Sequence, residues 1–487
     1  MMNKSTLVLI ILGIFLLGLA TRLVHLEHPA RHDEAHNYLY NVYAAQPWDY
    51  TEPNNHVFHT LLGILIIPLT EPSLEAFRVV SLMAACALIL LSAWVAGRIG
   101  SQHHLAALLA GLFICGSSRL IDYSINARGY SLLFSIVLVI WGLLMVLSDH
   151  PRRIWLWLAI AFLAALGCWT IPIMILPLFG MSVLFLLNNH QDLKRLVLPG
   201  IFTTVLFALL TLIAYLPIIH QNGWEALVSN RWVKPESAGI VIQQLPGFIL
   251  DMFVYFHAYD NPITTVLVIT GLIASGLLAF RQKSWWPVSW LVVLLCSVFF
   301  LLIQRRLPPE RVMLFVLPFI YVCAAVGLSS FLLKLCKRRE KSAGSILFGV
   351  ALTGCLLNLG KIAWSPTVIP QETDGVMYAE EIVRDLAGKG LYTGNMAIML
   401  DIPISPSFWY YLTESFPLHP NARIPPTEPS AETHRVAIIT SGEVPHEELV
   451  GRLQREAIII GSPVYHKIHP GAKVSIYKQV RQGAQDP

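Results

Sequence analysis

Apolar runs of about 20 residues recur along this chain, and their length constrains its fold more than any other feature. A helix of that length crosses a hydrocarbon core of about 30 Å. Hydrophobic residues fill 55% of the 487 positions, charged residues fill only 13%, and the mean hydropathy is +0.60. The sequence therefore predicts a polytopic α-helical membrane protein with about eleven transmembrane helices. The predicted spans are residues 5–22, 76–97, 104–118, 129–147, 154–170, 172–187, 196–219, 263–280, 285–303, 312–333 and 345–363.

Lysine and arginine residues are distributed unevenly between the predicted loops. One set of loops holds Arg98, Arg152, Arg153, Lys194, Arg195, Arg281, Lys283, Lys334, Lys337, Arg338, Arg339 and Lys341. By the positive-inside rule these loops are cytoplasmic, as is the amino terminus. The outer face then receives residues 23–75, 119–128, 220–262, 304–311 and the tail from 364. The net charge of +4 is small and spread over short loops, so it indicates membrane orientation and no nucleic-acid partner.

The chain divides by composition into a transmembrane domain, residues 1–363, and a small soluble α/β domain outside the membrane, residues 364–487. The first outer loop carries an apolar helix, about Val57 to Leu69, that is too short to span and is expected at the interface. An amphipathic segment, Ile240 to Phe256, is expected in the outer loop 220–262. The predicted tail elements are a helix near Met377 to Gly388, strands Met396 to Leu400 and Val436 to Thr440, a helix Pro445 to Glu456, and short strands near Ala457 to Ile460 and Val474 to Tyr477.

The first apolar run and the cysteines bear on processing. We interpret the run Ser5 to Thr21 as a retained signal anchor, with a cleaved signal peptide as the alternative. All seven cysteines fall inside apolar runs, and neither a disulfide framework nor a CxxC metal motif is indicated.

Polar side chains collect at three places on the predicted outer face. A charge at membrane depth costs several kcal/mol unless it is paired or wet, so such groups tend to mark a site. The three sets are Asp33, Glu34, His36 and Asn54-Asn55-His56; then Arg119, Asp122, Asn126, Arg128 and Tyr130; then Gln304, Arg305, Arg306, Glu310 and Arg311. Acids on one loop and arginines on two others suit transfer from a lipid phosphate to a hydroxyl. A carboxylate can deprotonate the attacking hydroxyl while guanidinium groups bind the phosphate.

Several of these segments carry a family resemblance. Asp33-Glu34 after the first span, Pro-Asn-Asn-His before an interfacial helix, Glu75 to Arg78 entering the second span, and Tyr123 to Tyr130 resemble the GT-C glycosyltransferases. The family that includes protein O-mannosyltransferases and aminoarabinose transferases, glycosyltransferase families 39 and 83, is the most similar. Weaker similarity lies in Phe408 to Tyr411 and the tail strands.

The resemblance implies an inverting transfer of one sugar from a polyprenyl-phosphate donor to a hydroxyl of a lipid, glycan or protein. It implies Asp33 as general base and Asp122 as an assisting acid. Glu34 is assigned to the catalytic residues with them, and the alternatives are that it only orients Asp33 or caps the helix that begins there. The other residues assigned to the site are Arg119, Arg128, Arg305, Arg306 and Arg311 on the donor phosphate, and His36, Asn55, His56 and Tyr130 on substrate. It also implies a multi-pass protein of the bacterial cell membrane with its active site outside.

This chain departs from the pattern of the GT-C families at Asn126 and in the missing Trp-Trp-Asp signature. Many relatives have Glu where this chain has Asn126, and the Trp-Trp-Asp signature of oligosaccharyltransferases is missing, so transfer of a whole glycan to asparagine is not expected. Some relatives bind a divalent metal; Glu34, His36, His56 and His257 are possible ligands, but they lack metal-site spacing, so no cofactor is assigned. Asp260 also lies in a predicted outer loop without an assigned role.

Three other functions compete with single-sugar transfer. A transporter or flippase should show midplane charges and related halves, which this sequence lacks. A ligase that uses a lipid-diphosphate donor would need outer arginines but no acid pair after the first span. A non-enzymatic partner in polysaccharide assembly is the third alternative, and the tail domain could serve it.

Overall fold

The computed structural model describes residues 4–43, 56–69, 73–100, 103–224, 235–335, 340–364, 379–388, 396–400, 409–411, 435–440, 460–469 and 472–479. The chain forms two compact units. The first combines Met1–Leu26 with Pro47–Ile369, and the second combines Glu27–Gln46 with Pro370–Pro487. The predicted domain boundary at residue 363 stays a prediction, and the segment that carries Asp33 groups with the tail.

The first unit is helical throughout its described part. Its main helices are α1 (Lys4–Leu23), α3 (Val57–Ile66), α4 (Leu74–Ile99), α5 (His103–Gly116), α6 (Ser118–Ser124), α7 (Tyr130–Asp149), α8 (Ile154–Thr170), α9 (Ile175–Asn188), α10 (Leu193–Asn222), α11 (Ala238–His257), α12 (Pro262–Gln282), α13 (Ser289–Gln304), α14 (Val316–Leu335) and α15 (Glu340–Trp364). The helix α2 (His32–Asn37) belongs to the second unit.

Nine helices of the described chain are long and apolar enough to cross a membrane, and α5 with α6 adds a tenth if that pair, bent by 64°, is one span. The prediction of a polytopic helical membrane protein is confirmed. The helices α8 and α9 are shorter than the other spans because Pro172 interrupts the run between them. By contrast α11, predicted as an amphipathic outer segment, has the length and hydropathy of a span.

The centre of the first unit is α14, and α10 lies at its periphery. In the most apolar 18-residue stretch of Glu310–Leu332, which includes most of α14, 94% of the residues are buried. In the corresponding stretch of α10 only 6% are buried, as expected for a helix that faces lipid. Small residues let α14 approach α12 closely. A Cβ added at Gly271 or at Gly327 would collide with the backbone of the other helix. Larger side chains at either position would therefore force these two helices apart.

A buried arginine joins the first helix to the rest of the unit. The side chain of Arg22 is inaccessible to solvent, and it donates to the carbonyl oxygens of Gly18, at 2.9 Å, and Ile114, at 3.4 Å. These carbonyls replace part of the hydration that a guanidinium loses on burial. Arg22 thereby connects α1 to α5.

The described tail contains a helix, α16 (Ala379–Gly388), and a four-stranded sheet. The strands are β1 (Met396–Leu400), β2 (Arg435–Thr440), β3 (Ile460–His469) and β4 (Ala472–Gln479), in the order β1-β2-β4-β3. The strands β1 and β2 pair in parallel, and β4 pairs antiparallel with both β2 and β3. The strand β4 extends the predicted strand Val474 to Tyr477 at both ends, whereas β3 begins at Ile460, the last residue of the strand predicted near Ala457 to Ile460. Residues 457–459 lie outside the described residues. The register between β3 and β4 is irregular near Pro463. The predicted helix at 445–456 lies outside the described residues.

Candidate functional site

In the second unit, Asp33 and Glu34 occupy different environments. Glu34 is inaccessible to solvent, and its Oε1 accepts the backbone N–H of Arg31 at 3.0 Å. This bond satisfies a backbone donor that the start of helix α2 leaves without an intrahelical partner. Asp33 is half-buried. Glu34 therefore caps the helix, and Asp33 is the acid of the pair that remains partly accessible.

Aromatic residues of the tail hold this segment in place. The hydroxyl of Tyr411 accepts the backbone N–H of Ala30 at 2.8 Å, and the ring of Tyr38 packs edge-on against Tyr410 with centroids 5.7 Å apart. The tail residues are buried, as is Trp409. The weak sequence similarity noted around Phe408 to Tyr411 thus includes residues that support the acid-bearing helix. His36, on that helix, is half-buried, and Asn55 lies outside the described residues.

In the first unit, His56 anchors the Ala-Arg-Gly-Tyr motif. The backbone N–H of Gly129 donates to Nδ1 of His56 at 2.7 Å, so this nitrogen carries no proton. The ring of Tyr130 meets His56 edge-on, with centroids 5.3 Å apart. A Cβ at Gly129 would lie 2.6 Å from Cγ2 of Thr170 and 3.2 Å from His56 Nδ1. Only glycine lets the motif approach the imidazole this closely.

His59 fixes the same motif one residue earlier. The hydroxyl of Ser81 donates to the carbonyl oxygen of Arg128 at 2.9 Å, so it accepts a hydrogen bond from the N–H at Nε2 of His59, also at 2.9 Å. Both imidazoles are buried and neutral in this arrangement. The Arg128–Gly129 peptide group is therefore held at both of its polar atoms: Ser81, supported by His59, binds the carbonyl oxygen, and His56 binds the N–H. This arrangement orients the half-buried Arg128.

Burial, reinforced by the charge of Arg128, lowers the pKa of His59 to about 3 and holds that of His56 well below its usual value. The unfolded chain binds protons at both residues below about pH 6.5, whereas the folded chain does not. We therefore expect the contribution of these two histidines to the free energy of unfolding to be fully present above pH 6.5. Below that pH the free energy of unfolding should fall, by up to about 1.4 kcal/mol per pH unit for each histidine.

The thermal midpoint of the detergent-solubilised protein between pH 7.5 and pH 5 checks this expectation. The variant His59→Gln should show a shallower fall, because one of the two groups no longer titrates. His190→Gln is the matched control, since His190 is exposed. A pH profile that His59→Gln leaves unchanged would contradict the assignment.

Arg119 and Asp122 lie on α6, in the segment predicted to be an outer loop. Nε of Arg119 donates to the carbonyl oxygen of Tyr255 at 2.7 Å, and its guanidinium lies 3.8 Å from the centre of the Tyr255 ring. The carboxylate of Asp122 is 4.0 Å from NH1 of Arg119, and both side chains are 4% exposed. A bend after α5 turns these residues into the protein. Burial by Tyr255 and Asp122 therefore does not favour Arg119 as a ligand of a lipid phosphate.

Asp260, which had no role assigned from the sequence, is the centre of a buried polar cluster. Its carboxylate, 0% exposed, accepts from His257 Nδ1 at 2.9 Å, Tyr321 Oη at 3.1 Å and Ser118 Oγ at 3.3 Å. Asn358 adds a longer contact of 3.5 Å. The donors come from α6, α11, α14 and α15, so one carboxylate ties four helices together. The one signal in the sequence is the His257-x-x-Asp260 spacing, which is common in loops.

The third predicted set, Gln304 to Arg311, forms a loop at the end of α13. Arg305 adopts a left-handed conformation with φ of 54°, and its carbonyl oxygen accepts the backbone N–H of Glu236 at 2.9 Å. Arg305 and Arg311 are exposed, and Arg306 is half-buried. The loop is therefore fixed by its backbone while its guanidinium groups stay accessible.

The fold brings the predicted residues together only in part. His56, Arg128 and Tyr130 form one cluster in the first unit, whereas Asp33, Glu34 and His36 lie in the second. Among the residues that the structure describes, no group of three His, Cys, Asp or Glu side chains could hold a metal ion. Nδ1 of His56 is also taken by Gly129, so that nitrogen does not fit a metal ligand.

Comparison with solved structures identifies the fold. The chain is similar to ArnT from Cupriavidus metallidurans in the apo state, with 12% identity, a TM-score of 0.63 and coverage of 97% of this chain and 98% of ArnT. The ArnT structure bound to undecaprenyl phosphate matches over 99% of both chains, with the same identity and TM-score. The oligosaccharyltransferase AglB from Archaeoglobus fulgidus, in complex with an inhibitory peptide and a dolichol-phosphate, gives a TM-score of 0.51 at 11% identity, over 88% of this chain and 65% of AglB.

No family model matches the sequence, and no curated protein matches it. The likeness to ArnT extends over nearly the whole of both chains, and ArnT and AglB are both GT-C glycosyltransferases. The chain has the GT-C fold of membrane glycosyltransferases.

Proposed function

We propose that this chain is an inverting glycosyltransferase that moves a single sugar from a polyprenyl-phosphate donor to an acceptor hydroxyl at the outer face of the membrane. The observation that carries the proposal is the near-complete correspondence with ArnT, whose structure is known with undecaprenyl phosphate bound. The unequal environments of Asp33 and Glu34 support it further. The structures of ArnT with undecaprenyl phosphate and of AglB with a dolichol-phosphate favour a lipid-linked donor here.

In this mechanism Asp33 accepts the proton of the acceptor hydroxyl. The hydroxyl oxygen attacks the anomeric carbon on the face opposite the phosphate, and a new glycosidic bond forms with inverted configuration. The bond from the anomeric carbon to the phosphate oxygen breaks, and its electron pair stays on the departing polyprenyl phosphate. Such proton transfer to a positioned carboxylate typically contributes about 10²–10⁴-fold to the rate.

The phosphate needs cations as its negative charge grows. Arg305, Arg306 and Arg311 suit this role because their loop is fixed by its backbone and their side chains are exposed or half-buried. We retain Arg128 as a fourth ligand, oriented by His56 and His59. The buried Arg119 is left out of the proposed phosphate site. For Asp122 we propose a positioning role through Arg119, in place of the catalytic role suggested by resemblance.

A donor comparison tests the proposal against a ligase that uses a lipid diphosphate. The purified protein is placed in liposomes with labelled pentoses and hexoses linked to undecaprenol through one phosphate or through two. We expect sugar to leave only the monophosphate donors, with one undecaprenyl phosphate released per sugar transferred. Turnover of the diphosphate donors alone would contradict the proposal, as would release of neither lipid.

A further inference from the structure

A cavity of about 640 Å³ lies between α11 and the loop 304–311, wholly within the first unit. Its size falls within the range of about 300–1,000 Å³ that is usual for small-molecule sites. One wall is formed by Gln243, Gln244 and Asp251, with Phe248 beside them. The opposite wall is formed by Pro308, Pro309 and Glu310. The N–H···O=C bond between Glu236 and Arg305 holds the two walls together at one end.

The polar wall is unusual for the helix that carries it. The helix α11 has the length and hydropathy of a membrane span, with a mean hydropathy of 1.4. Residues 243, 247 and 251 are four apart, so they share one face of the helix, and residues 244 and 248 lie next to them. Amides and a carboxylate at such positions are costly in lipid, which points to a wet, functional surface.

The chemistry of the lining restricts what this cavity can bind. Carboxylates and carboxamides match the hydroxyl groups of a sugar, because each hydroxyl both donates and accepts. Phe248 and the two prolines add apolar surface to the lining, which suits the apolar face of a pyranose. Among the lining residues that the structure describes there are three carboxylates, from Glu236, Asp251 and Glu310, and no basic side chain. They disfavour an anionic ligand and favour a neutral or amine-bearing one.

The cavity also adjoins the proposed phosphate ligands along the chain. Leu307, Pro308 and Pro309 line it, and they follow Arg305 and Arg306 directly. A sugar in the cavity and a phosphate on these arginines would therefore be bound by one loop. We infer that this cavity is the acceptor subsite and that it takes a neutral or amino saccharide rather than a phosphorylated one. This inference rests on the proposed function and names its acceptor class.

Saturation-transfer difference NMR on the full-length protein in detergent tests the inference. The probes are methyl β-D-glucopyranoside, D-glucosamine and D-glucose 6-phosphate. We expect saturation transfer to the first two and none to the phosphorylated sugar. Asp251→Leu should weaken binding of both by at least about tenfold. Asp251→Asn should bind the neutral glucoside as the wild type does and should bind glucosamine more weakly, because the carboxylate that attracts the amine is removed.

Asp192→Leu is the matched control, because Asp192 is exposed, its carboxylate pairs with Arg195 and it does not line the cavity. Equal signals from wild type and Asp251→Leu would overturn the inference, as would absent binding or equal binding of glucose 6-phosphate. Saccharide binding in a protein that transfers no sugar from any polyprenyl phosphate would instead reject the proposed function and leave the subsite in place.

Discussion

Replacing Asp33 with asparagine should lower the rate of sugar transfer by at least about a hundredfold without unfolding the protein. Asparagine matches aspartate in size, but its amide cannot take up the proton of an acceptor hydroxyl. Asp33 is half-buried, so the substitution does not disturb a sealed core. The assay is release of labelled sugar from an undecaprenyl-phosphate donor, with donor binding measured in parallel. Donor binding should be retained, because the arginines remain.

Glu34→Gln is the control for this prediction. Glutamine keeps an oxygen that can accept the backbone N–H of Arg31, so the cap that Glu34 provides is preserved. We expect this variant to lose less than about tenfold in rate. If Asp33→Asn transferred sugar at the wild-type rate, Asp33 would not be the general base. If Glu34→Gln were the inactive variant instead, the roles of the two acids would be reversed.

Replacing Asp260 with alanine should destabilise the first unit by at least about 3 kcal/mol. The change removes the acceptor shared by His257, Tyr321 and Ser118 and leaves their donors buried without it. Buried donors that lose their partner incur the full cost of desolvation. The measurement is the thermal midpoint of the solubilised protein, which should fall by several degrees. The thermal midpoint of Asp260→Asn should fall less, because the amide oxygen of asparagine can still accept a hydrogen bond.

Asp149→Ala provides the comparison for an exposed carboxylate. Asp149 pairs with Arg98 at 2.6 Å, and its side chain is 60% exposed, so solvent screens the pair. Such pairs contribute at most about 1 kcal/mol, and the midpoint should barely change. An Asp260→Ala protein that melts together with Asp149→Ala would show that the cluster does not hold the helices together.

Long apolar helices were predictable from the sequence, because the length and hydropathy of an apolar run indicate a membrane span. The fourth predicted span, 129–147, corresponds to Tyr130–Asp149, and the strand at Met396–Leu400 has the predicted ends. The bend after Gly116 was not predictable, because apolar composition does not specify where a helix turns. For the same reason hydropathy left the character of Ala238–His257 open: its polar residues lie on one face, beside the cavity, and its average remains apolar.

The candidate site was predictable to a smaller extent. The cap that Glu34 provides was among the alternatives read from the sequence, because it depends on residues within one turn of the chain. The catalytic role of Asp33 came from the family resemblance and stays a prediction. The bond between His56 and Gly129 joins residues 73 positions apart, and Asp260 meets Tyr321 across 61 positions. Contacts of this kind depend on helix packing, which a single sequence does not encode in any local pattern. The burial of Arg119 against Tyr255 was missed for the same reason.

The anomeric configuration of the transferred sugar tests whether the sugar moves by direct displacement with Asp33 as general base. Wild-type protein in liposomes is given an undecaprenyl-phosphate sugar of known configuration, and the product is analysed by NMR. The mechanism predicts a product of the opposite configuration, one undecaprenyl phosphate released per sugar, and product formation by Asp33→Asn that is slower by at least about a hundredfold. A product that retains the donor's configuration would contradict direct displacement with Asp33 as base.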